Sequence, residues 1–344
     1  MRLRLITLLW TLVLAACGGG GGGEAPATVS SVPSNLPAIS ATAVAIPGST
    51  YNANSAEIGG WTLLQQARGL CGFGQLTQND LLDKAASSHA KYQTSVFMSG
   101  GSADLTHYES MTSNLYYTGY APWDRTVYRG YGERVAEILA GTTWTYDISN
   151  PPTFPTLAQR GANATINLLN TVYHLTGAMY DGADVGFGAD LQTLASGTAR
   201  REEFRFGSLN GFQTRRLPLG TGTLATYPCQ GSVNVPTTFV PAYETPNPFP
   251  AMTSPLQVVG PPIYLKVDSG QVLTLTASSI SNGGTAVAST VLTSANDPAG
   301  KISQNEVFVV PNTVLLANTR YDIHLAGTIN GVAFSRDFSM LTGP

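Results

Sequence analysis

The spacing of apolar residues predicts helices in the first part of the chain and strands in the last part. Between Asn79 and Val96, apolar residues recur at three- and four-residue intervals, which is the spacing of one face of a helix. A second helix is predicted from about Ala164 to Met179. From about Gln257 to the end, apolar residues alternate with polar ones, which indicates strands with one buried face. Three further short strands are predicted at 184–188, 202–207 and 223–227.

Helices that alternate with a few central strands predict a layered α-β-α sandwich for the first part of the chain. The last part, residues 257–344, carries short strand patterns and no helix signal. Tyr321 follows Leu315-Leu316 and a short turn, which resembles a tyrosine corner. We therefore expect an α+β protein, in which an α-β-α sandwich is followed by an all-β immunoglobulin-like sandwich.

The N-terminus has the pattern of an export signal. Two arginines precede an apolar run that is too short to remain as a membrane span, and Leu14-Ala15-Ala16-Cys17 resembles a bacterial lipobox. Residues 1–16 are therefore predicted to be a lipoprotein signal peptide, and Cys17 to be the lipidation site. An ordinary secretory signal is the alternative, but it leaves Cys17 unexplained. Glycine rather than aspartate follows Cys17, which favours the outer membrane of a two-membrane bacterium.

Composition divides the rest of the chain. The glycine run at 18–23 and the Ala-, Pro- and Ser-rich stretch after it predict a flexible, lipid-anchored tether over residues 17–54. A folded domain is expected at 55–232, a Pro-rich linker at 233–256 and the sandwich at 257–344. Charged residues make up 11% of the chain and the net charge is −3. This balance gives no reason to expect a nucleic-acid partner, so the expected partners are the bilayer and an unknown ligand.

The candidate site residues lie in the predicted folded domain. His107 is followed two residues later by Glu109, a GYGERVAE run carries Glu133 and Glu137, and His174 lies in a later apolar run. Imidazoles and carboxylates brought together are what a divalent-metal site or an acid/base site requires. The structural alternative is a polar cluster that holds the walls of a cleft together by hydrogen bonds.

The order of these motifs resembles the CAP superfamily (cysteine-rich secretory, antigen 5 and pathogenesis-related, or SCP-like, proteins), and in particular its bacterial lipoprotein branch. The resemblance covers roughly residues 55–232 and includes His107, a Gly130-Tyr131 segment with Glu137, and His174 followed by Val185-Gly186-Phe187-Gly188. It implies the CAP-type α-β-α sandwich. It also implies a cleft in which two histidines and two glutamates meet, where some members bind a divalent metal.

The sequence departs from that pattern at the second glutamate, because Leu168-Leu169-Asn170-Thr171 contains no acid before His174. Glu109 or Glu133 is the candidate replacement. The cleft is therefore expected to serve a binding module for a lipid, wall or peptide fragment, with a divalent metal such as zinc as the candidate cofactor. The alternative is a metal-assisted, protease-like hydrolase that uses the same cleft. Catalytic residues are not assigned, because the sequence contains no G-x-S-x-G, no H-E-x-x-H and no P-loop motif.

The remaining cysteines and histidines are expected to be structural. With Cys17 used for lipid, Cys71 and Cys229 remain, and an exported protein is in an oxidising compartment. We expect a disulfide between them, and two free buried thiols are the alternative. His89 lies on the apolar face of its helix and is predicted to be a core residue with a backbone partner. His324 is predicted to be half-exposed and without a chemical role.

Overall fold

The computed structural model describes residues 42–101 and 105–344. The predicted signal peptide, Cys17 and most of the predicted tether therefore lie outside the described residues. The described part of the tether, residues 42–54, contacts the fold: Trp61 Nε1 donates to the carbonyl of Pro47 at 3.1 Å, and Tyr51 Oη donates to Asp83 Oδ1 at 2.5 Å. No helix within the described residues is long and apolar enough to cross a membrane.

Five α-helices are present in the described residues: α1 (Ala56–Leu70), α2 (Asp80–Met98), α3 (Pro122–Tyr128), α4 (Leu157–Leu169) and α5 (Tyr173–Ala178). The side chains of their N-cap residues cap the first turns of α1, α2 and α4. Asn79 Oδ1 accepts hydrogen bonds from the backbone N–H groups of Leu81 and Leu82 at the start of α2. Thr156 and Gln159 form a reciprocal capping box at the start of α4.

The single helix predicted from about Ala164 to Met179 is two helices, α4 and α5. The chain leaves α4 at Asn170, whose Nδ2 donates to the carbonyl of Thr238 at 2.5 Å. Thr171 Oγ1 donates back to the carbonyl of Leu168 at 2.9 Å. The Thr171 bond occupies a carbonyl in the last turn of α4, and the backbone N–H of Val172 donates to Glu244 instead of continuing the helix. An apolar periodicity cannot reveal these bonds.

Thirteen strands complete the described part: β1 (Thr77–Gln78), β2 (Val135–Asp147), β3 (Gly182–Ser196), β4 (Ala199–Arg216), β5 (Ala225–Tyr227), β6 (Ser232–Val235), β7 (Ile263–Lys266), β8 (Leu273–Asn282), β9 (Thr285–Val287), β10 (Ser289–Thr293), β11 (Glu306–Pro311), β12 (Arg320–Ile329) and β13 (Val332–Thr342). They form three sheets, with strand orders β1-β3-β4-β2, β10-β11-β7-β5 and β6-β13-β12-β8-β9. The strand β2 therefore lies at the edge of the first sheet, antiparallel to β4.

Glycines in β3 set the distance between the first sheet and α2. A Cβ atom at Gly186 would lie 2.2 Å from the backbone nitrogen of Asp83, and one at Gly188 would lie 2.1 Å from that of Ser87. Only glycine permits this approach of helix and strand backbones. The V-G-F-G sequence is therefore explained by packing against α2.

The second and third sheets enclose an apolar core that includes Ile263, Val309, Ile323 and Phe338. At the corner between them, the backbone N–H of Leu316 donates to Tyr321 Oη at 2.8 Å, so the predicted tyrosine corner is confirmed. His324 is partly exposed, as predicted, and its Nδ1 lies 2.7 Å from Asp337 Oδ1.

A second core cluster joins the helices to the second sheet. It contains Trp61 of α1, Leu168 of α4 and Phe308 of β11. Phe73 stacks on Tyr264 of β7 with ring centroids 6.0 Å apart. Within the segment predicted as a linker, Phe239 is buried. All described residues belong to one compact unit.

The predicted fold class, a CAP-type α-β-α sandwich followed by an immunoglobulin-like sandwich, is wrong. Strands hold 35% of the described residues and helices 21%, so the molecule is mostly β, with three sheets. The sequence indicated short strands near 184–188 and 202–207, whereas β3 and β4 continue for 15 and 18 residues. Their polar outer ends lack the alternation from which strands are predicted.

The predicted disulfide is confirmed. Cys71 and Cys229 are bonded, with Cα atoms 5.4 Å apart and 158 positions between them in the sequence. Cys71 ends α1, and Cys229 lies between β5 and β6. The bond therefore ties the first helix to the start of the C-terminal strands.

We expect a Cys71→Ala, Cys229→Ala double variant to be less stable by about 2–5 kcal/mol, because the closed loop no longer restricts the unfolded chain. Urea unfolding of the oxidised wild type and of the variant measures the difference. Wild type in reductant is the control, and its stability should fall to that of the variant. Alkylation of both thiols in unreduced wild-type protein would contradict the disulfide.

Candidate functional site

His107 and Glu137 form a pair at the surface of the first sheet. His107 Nδ1 lies 2.9 Å from Glu137 Oε2. The imidazole is 35% exposed, whereas the carboxylate is only 2% exposed. Glu137 lies on β2, so a regular strand holds the buried partner, and a loop carries the exposed one. The structure thus brings these two predicted residues together.

The guanidinium of Arg125 holds both members of this pair. Its Nη2 donates to both carboxylate oxygens of Glu137 at 2.7 Å, and its Nη1 donates to the backbone carbonyl of His107 at 2.9 Å. Arg125 is fully buried on α3. At the start of this helix, Asp124 Oδ2 accepts from the backbone N–H of Ala121 at 2.9 Å. Arg125 was not among the predicted site residues.

Glu109 lies behind this pair and is already satisfied by other groups. Its Oε1 lies 2.9 Å from Nδ1 of His89, and its Oε2 accepts from the backbone N–H of Thr118 at 3.0 Å. Arg125 Nε lies 3.7 Å from Glu109 Oε1, so the guanidinium stands between two buried carboxylates. His89 Nε2 lies 2.9 Å from the carbonyl of Thr106, which confirms the predicted core histidine with a backbone partner.

Glu133 does not join the cluster. It lies just before β2 and is exposed, and its carboxylate forms no hydrogen bond or ion pair with a described residue. Of the two carboxylates predicted to replace the missing glutamate, Glu109 is therefore internal to the network, and Glu133 faces solvent.

The charge of Glu137 is set by its neighbours. Burial by itself would raise the pKa of this carboxyl group, but Arg125, with His89 and His107, lowers the pKa to about 2. Glu137 is therefore ionised at neutral pH and accepts a hydrogen bond, so Nδ1 of His107 carries the proton. In the neutral imidazole, Nε2 then has a free lone pair, and this atom forms no hydrogen bond to any described residue.

His174 has a different carboxylate partner, Glu244. His174 Nδ1 lies 3.1 Å from Glu244 Oε1. The Glu244 side chain is fully buried and that of His174 is 16% exposed. Glu244 comes from the segment predicted to be a linker. Sequence reasoning missed it because a single glutamate in a Pro-rich stretch has no spacing pattern.

The two histidine–carboxylate pairs lie on opposite faces of β2. A Cβ atom at Gly177 of α5 would lie 2.8 Å from Ile138 Cγ2, so α5 packs on the face that carries Ile138. Successive side chains of a strand point to opposite faces, so Glu137 lies on the other face. Between the described residues, no hydrogen bond or ion pair joins the His107 pair to the His174 pair.

A metal ligand set is not formed by the side chains that the structure describes. Within residues 42–101 and 105–344, no group of three His, Cys, Asp or Glu side chains is arranged to hold a metal ion. Both oxygens of Glu137 accept from Arg125, and those of Glu244 accept from backbone N–H groups. The zinc site stays a prediction, and Nε2 of His107 and Nε2 of His174 lie on opposite faces of β2, so they do not meet at one ion.

An exposed aromatic surface adjoins His107. Apolar side chains are usually exposed singly, and a contiguous exposed group marks an interaction site. Tyr108 and Tyr120 stack with ring centroids 5.0 Å apart. The backbone N–H of Glu109 donates to the carbonyl of Tyr120 at 2.8 Å, so both tyrosines are held beside the His107 pair. The same segment of chain also exposes the rings of Tyr116, Trp123 and Tyr128, and we define the aromatic surface as these three rings together with the stacked Tyr108 and Tyr120.

Comparison with protein-family models found no family that matches the chain, and comparison with curated proteins found no match. The site is therefore interpreted from its own geometry.

We expect Glu137→Gln to reduce the loss of stability in acid. A carboxyl group whose pKa is lowered on folding contributes stability above its unfolded pKa, and this contribution disappears as pH falls through the folded pKa. For Glu137 that window runs from 4.5 down to about 2. The contribution is on the order of 3 kcal/mol. Urea unfolding of wild type and variant between pH 7 and pH 2 measures it.

The matched control is Glu133→Gln, which removes an exposed carboxylate from the same stretch of chain. The free-energy difference between wild type and Glu137→Gln should shrink as pH falls through the window, whereas the Glu133→Gln curve should follow wild type. Parallel curves for wild type and Glu137→Gln would show that the pKa of Glu137 is not lowered on folding.

Proposed function

We propose that the chain is a membrane-anchored, extracytoplasmic binding module, and that its ligand lies on the aromatic surface with a polar group on Nε2 of His107. The observation that carries the proposal is an exposed imidazole beside exposed aromatic rings, with its Nδ1 hydrogen-bonded to the buried, ionised Glu137. Tyrosine and tryptophan rings combine an apolar face with a polar edge, so they suit a ligand that is partly apolar.

Because Nε2 of His107 is a hydrogen-bond acceptor, the three predicted ligand classes (lipid, wall fragment and peptide fragment) are not equally suitable. In the neutral imidazole of His107 the proton is on Nδ1, so Nε2 accepts a hydrogen bond and matches an N–H or O–H donor on the ligand. Wall fragments and peptides present many such donors next to apolar groups, whereas a lipid presents them only at its headgroup. A wall or peptide fragment is therefore favoured over a lipid.

The runner-up function is a metal-assisted hydrolase. Its support is the free lone pair on Nε2 of His107 and on Nε2 of His174, since neutral imidazole nitrogens are zinc ligands, although the two lie on opposite faces of β2 and would each have to bind a separate ion. The carboxylates beside them are already used by Arg125 and by backbone N–H groups, so they serve to orient the imidazoles. Hydrolysis would need a free carboxylate as a general base, whereas these carboxylates only orient the imidazoles, so binding is favoured over hydrolysis.

We expect a soluble disaccharide–peptide wall fragment to bind the purified protein, and His107→Ala and Tyr120→Ala each to weaken that binding at least tenfold, about 1.4 kcal/mol. Isothermal titration calorimetry measures the affinities. Val332→Ala is the control, because it removes an exposed apolar side chain from the first position of β13, in the third sheet. Unchanged affinity in both site variants would contradict the proposal.

The same titrations distinguish the binding module from the metal-assisted hydrolase. Short peptides and lipid micelles serve as alternative ligands, and each titration is repeated with zinc and with a chelator. Cleavage of the wall fragment or of a peptide in the presence of zinc, lost in a His107→Ala, His174→Ala double variant, would support the hydrolase in place of the binding module.

The anchor is proposed on the sequence alone, since Cys17 lies outside the described residues. We expect Cys17→Ala to convert membrane-associated protein into soluble protein or unprocessed precursor, because stable anchoring needs the acyl chains attached at that cysteine. Partition into a detergent phase measures the difference. Unchanged partition of the variant would contradict lipidation at Cys17.

A further inference from the structure

The short helix that carries His174 is held at its beginning by the C-terminal part of the chain. Glu244 accepts hydrogen bonds from the backbone N–H groups of Val172, Tyr173 and His174, at 2.9, 2.6 and 3.1 Å. These are donors that a helix cannot satisfy within its own first turn. The side chain of Tyr173 continues the contact, because its Oη donates to Asp297 Oδ1 at 2.5 Å.

The end of α5 is held as well. Lys266 Nζ of β7 donates to the carbonyl of Met179 at 2.8 Å, and Arg68 Nη1 donates to the carbonyl of Ala178 at 2.9 Å. Both cations are buried, and burial lowers the pKa of Lys266. A carboxylate at the first turn and cations at the last turn match the direction of the helix dipole. One helix is thus fixed at both ends by partners from distant parts of the sequence.

The hydrogen bonds at Nδ1 of His174 determine which ring nitrogen carries the proton. Glu244 Oε1 lies 3.1 Å from Nδ1, and Thr171 Oγ1 lies 3.0 Å from it. The hydroxyl of Thr171 donates its own hydrogen to the carbonyl of Leu168 at 2.9 Å, so it accepts at Nδ1. Two acceptors face Nδ1, and the neutral ring is therefore the Nδ1–H tautomer with a free lone pair on Nε2.

We propose that Glu244 is a positioning residue for His174, and that the C-terminal part of the chain thereby completes the His174 site. Glu244 fixes the backbone at the start of α5 and the tautomer of the ring with the same carboxylate. His174 Nε2 is then held as a hydrogen-bond acceptor, as Nε2 of His107 is on the other face of β2. This inference goes beyond the proposed function and is independent of it, because it concerns the state of the ring and not a ligand.

The test is the ring tautomer, read by two-bond ¹⁵N–¹H correlation spectra of labelled full-length protein at pH 8, with the His174 signals assigned by their loss in His174→Gln. Wild type should show the Nδ1–H pattern. Glu244→Gln and Glu244→Met form a matched pair, because the side chains have equal length and only Gln keeps an acceptor oxygen. The Nδ1–H pattern should persist in Glu244→Gln, whereas in Glu244→Met the fraction of Nε2–H ring should rise, because only Thr171 Oγ1 then accepts at Nδ1.

Amide hydrogen exchange distinguishes a local effect of Glu244 on α5 from a general loss of stability. In Glu244→Met, the amides of Val172, Tyr173 and His174 should exchange at least tenfold faster, while those of α2 stay as in wild type. An unchanged ring pattern in Glu244→Met, or equal acceleration in α2 and α5, would overturn the proposal. If Glu244→Met does not fold, the wild-type spectrum decides, since an Nε2–H tautomer there would overturn it as well.

Discussion

The buried guanidinium of Arg125 is the group on which the arrangement around His107 depends. A cation removed from water loses several kcal/mol of hydration, and it is stable only where charge and hydrogen bonds replace the lost water. Arg125 meets this requirement by donating to Glu137 on β2 and to the carbonyl of His107, with Glu109 on its other side. A helix, an edge strand and a loop are therefore fixed relative to one another by one side chain.

Other buried charges in the described residues are also stabilised by hydrogen bonds to distant parts of the chain. Only 11% of the residues are charged, yet Arg68, Lys266 and Glu244 are all buried. Each of them bonds to backbone groups of a distant segment, so each connects parts of the chain that local structure alone would leave independent. Because a buried charge without its partner is strongly destabilising, these contacts specify how the helices meet the C-terminal strands. The disulfide between Cys71 and Cys229 acts on the same junction.

The sequence predicted correctly those features that depend on neighbouring residues or on composition. The helix α2 followed from apolar spacing, and the disulfide followed from cysteine count and export. Arg125 and Glu244 were missed because their partners lie elsewhere in the chain, and no spacing rule marks a buried charge. The fold class was wrong for a related reason: the length of β3 and β4 depends on pairing between strands, whereas the glycines and polar residues within them gave only a short strand signal.

The alternation of side chains along β2 explains why the two histidines contact different parts of the chain. Side chains alternate along the strand, so Glu137 and α5 lie on opposite faces. His107 is thereby placed beside the aromatic surface, and His174 beside the C-terminal part of the chain. In both pairs the carboxylate is buried and occupied by internal donors, which leaves Nε2 of each imidazole as the atom available to a ligand. Acceptors held in this way, one of them next to exposed rings, favour recognition of a donor-bearing ligand over chemistry that needs a free carboxylate.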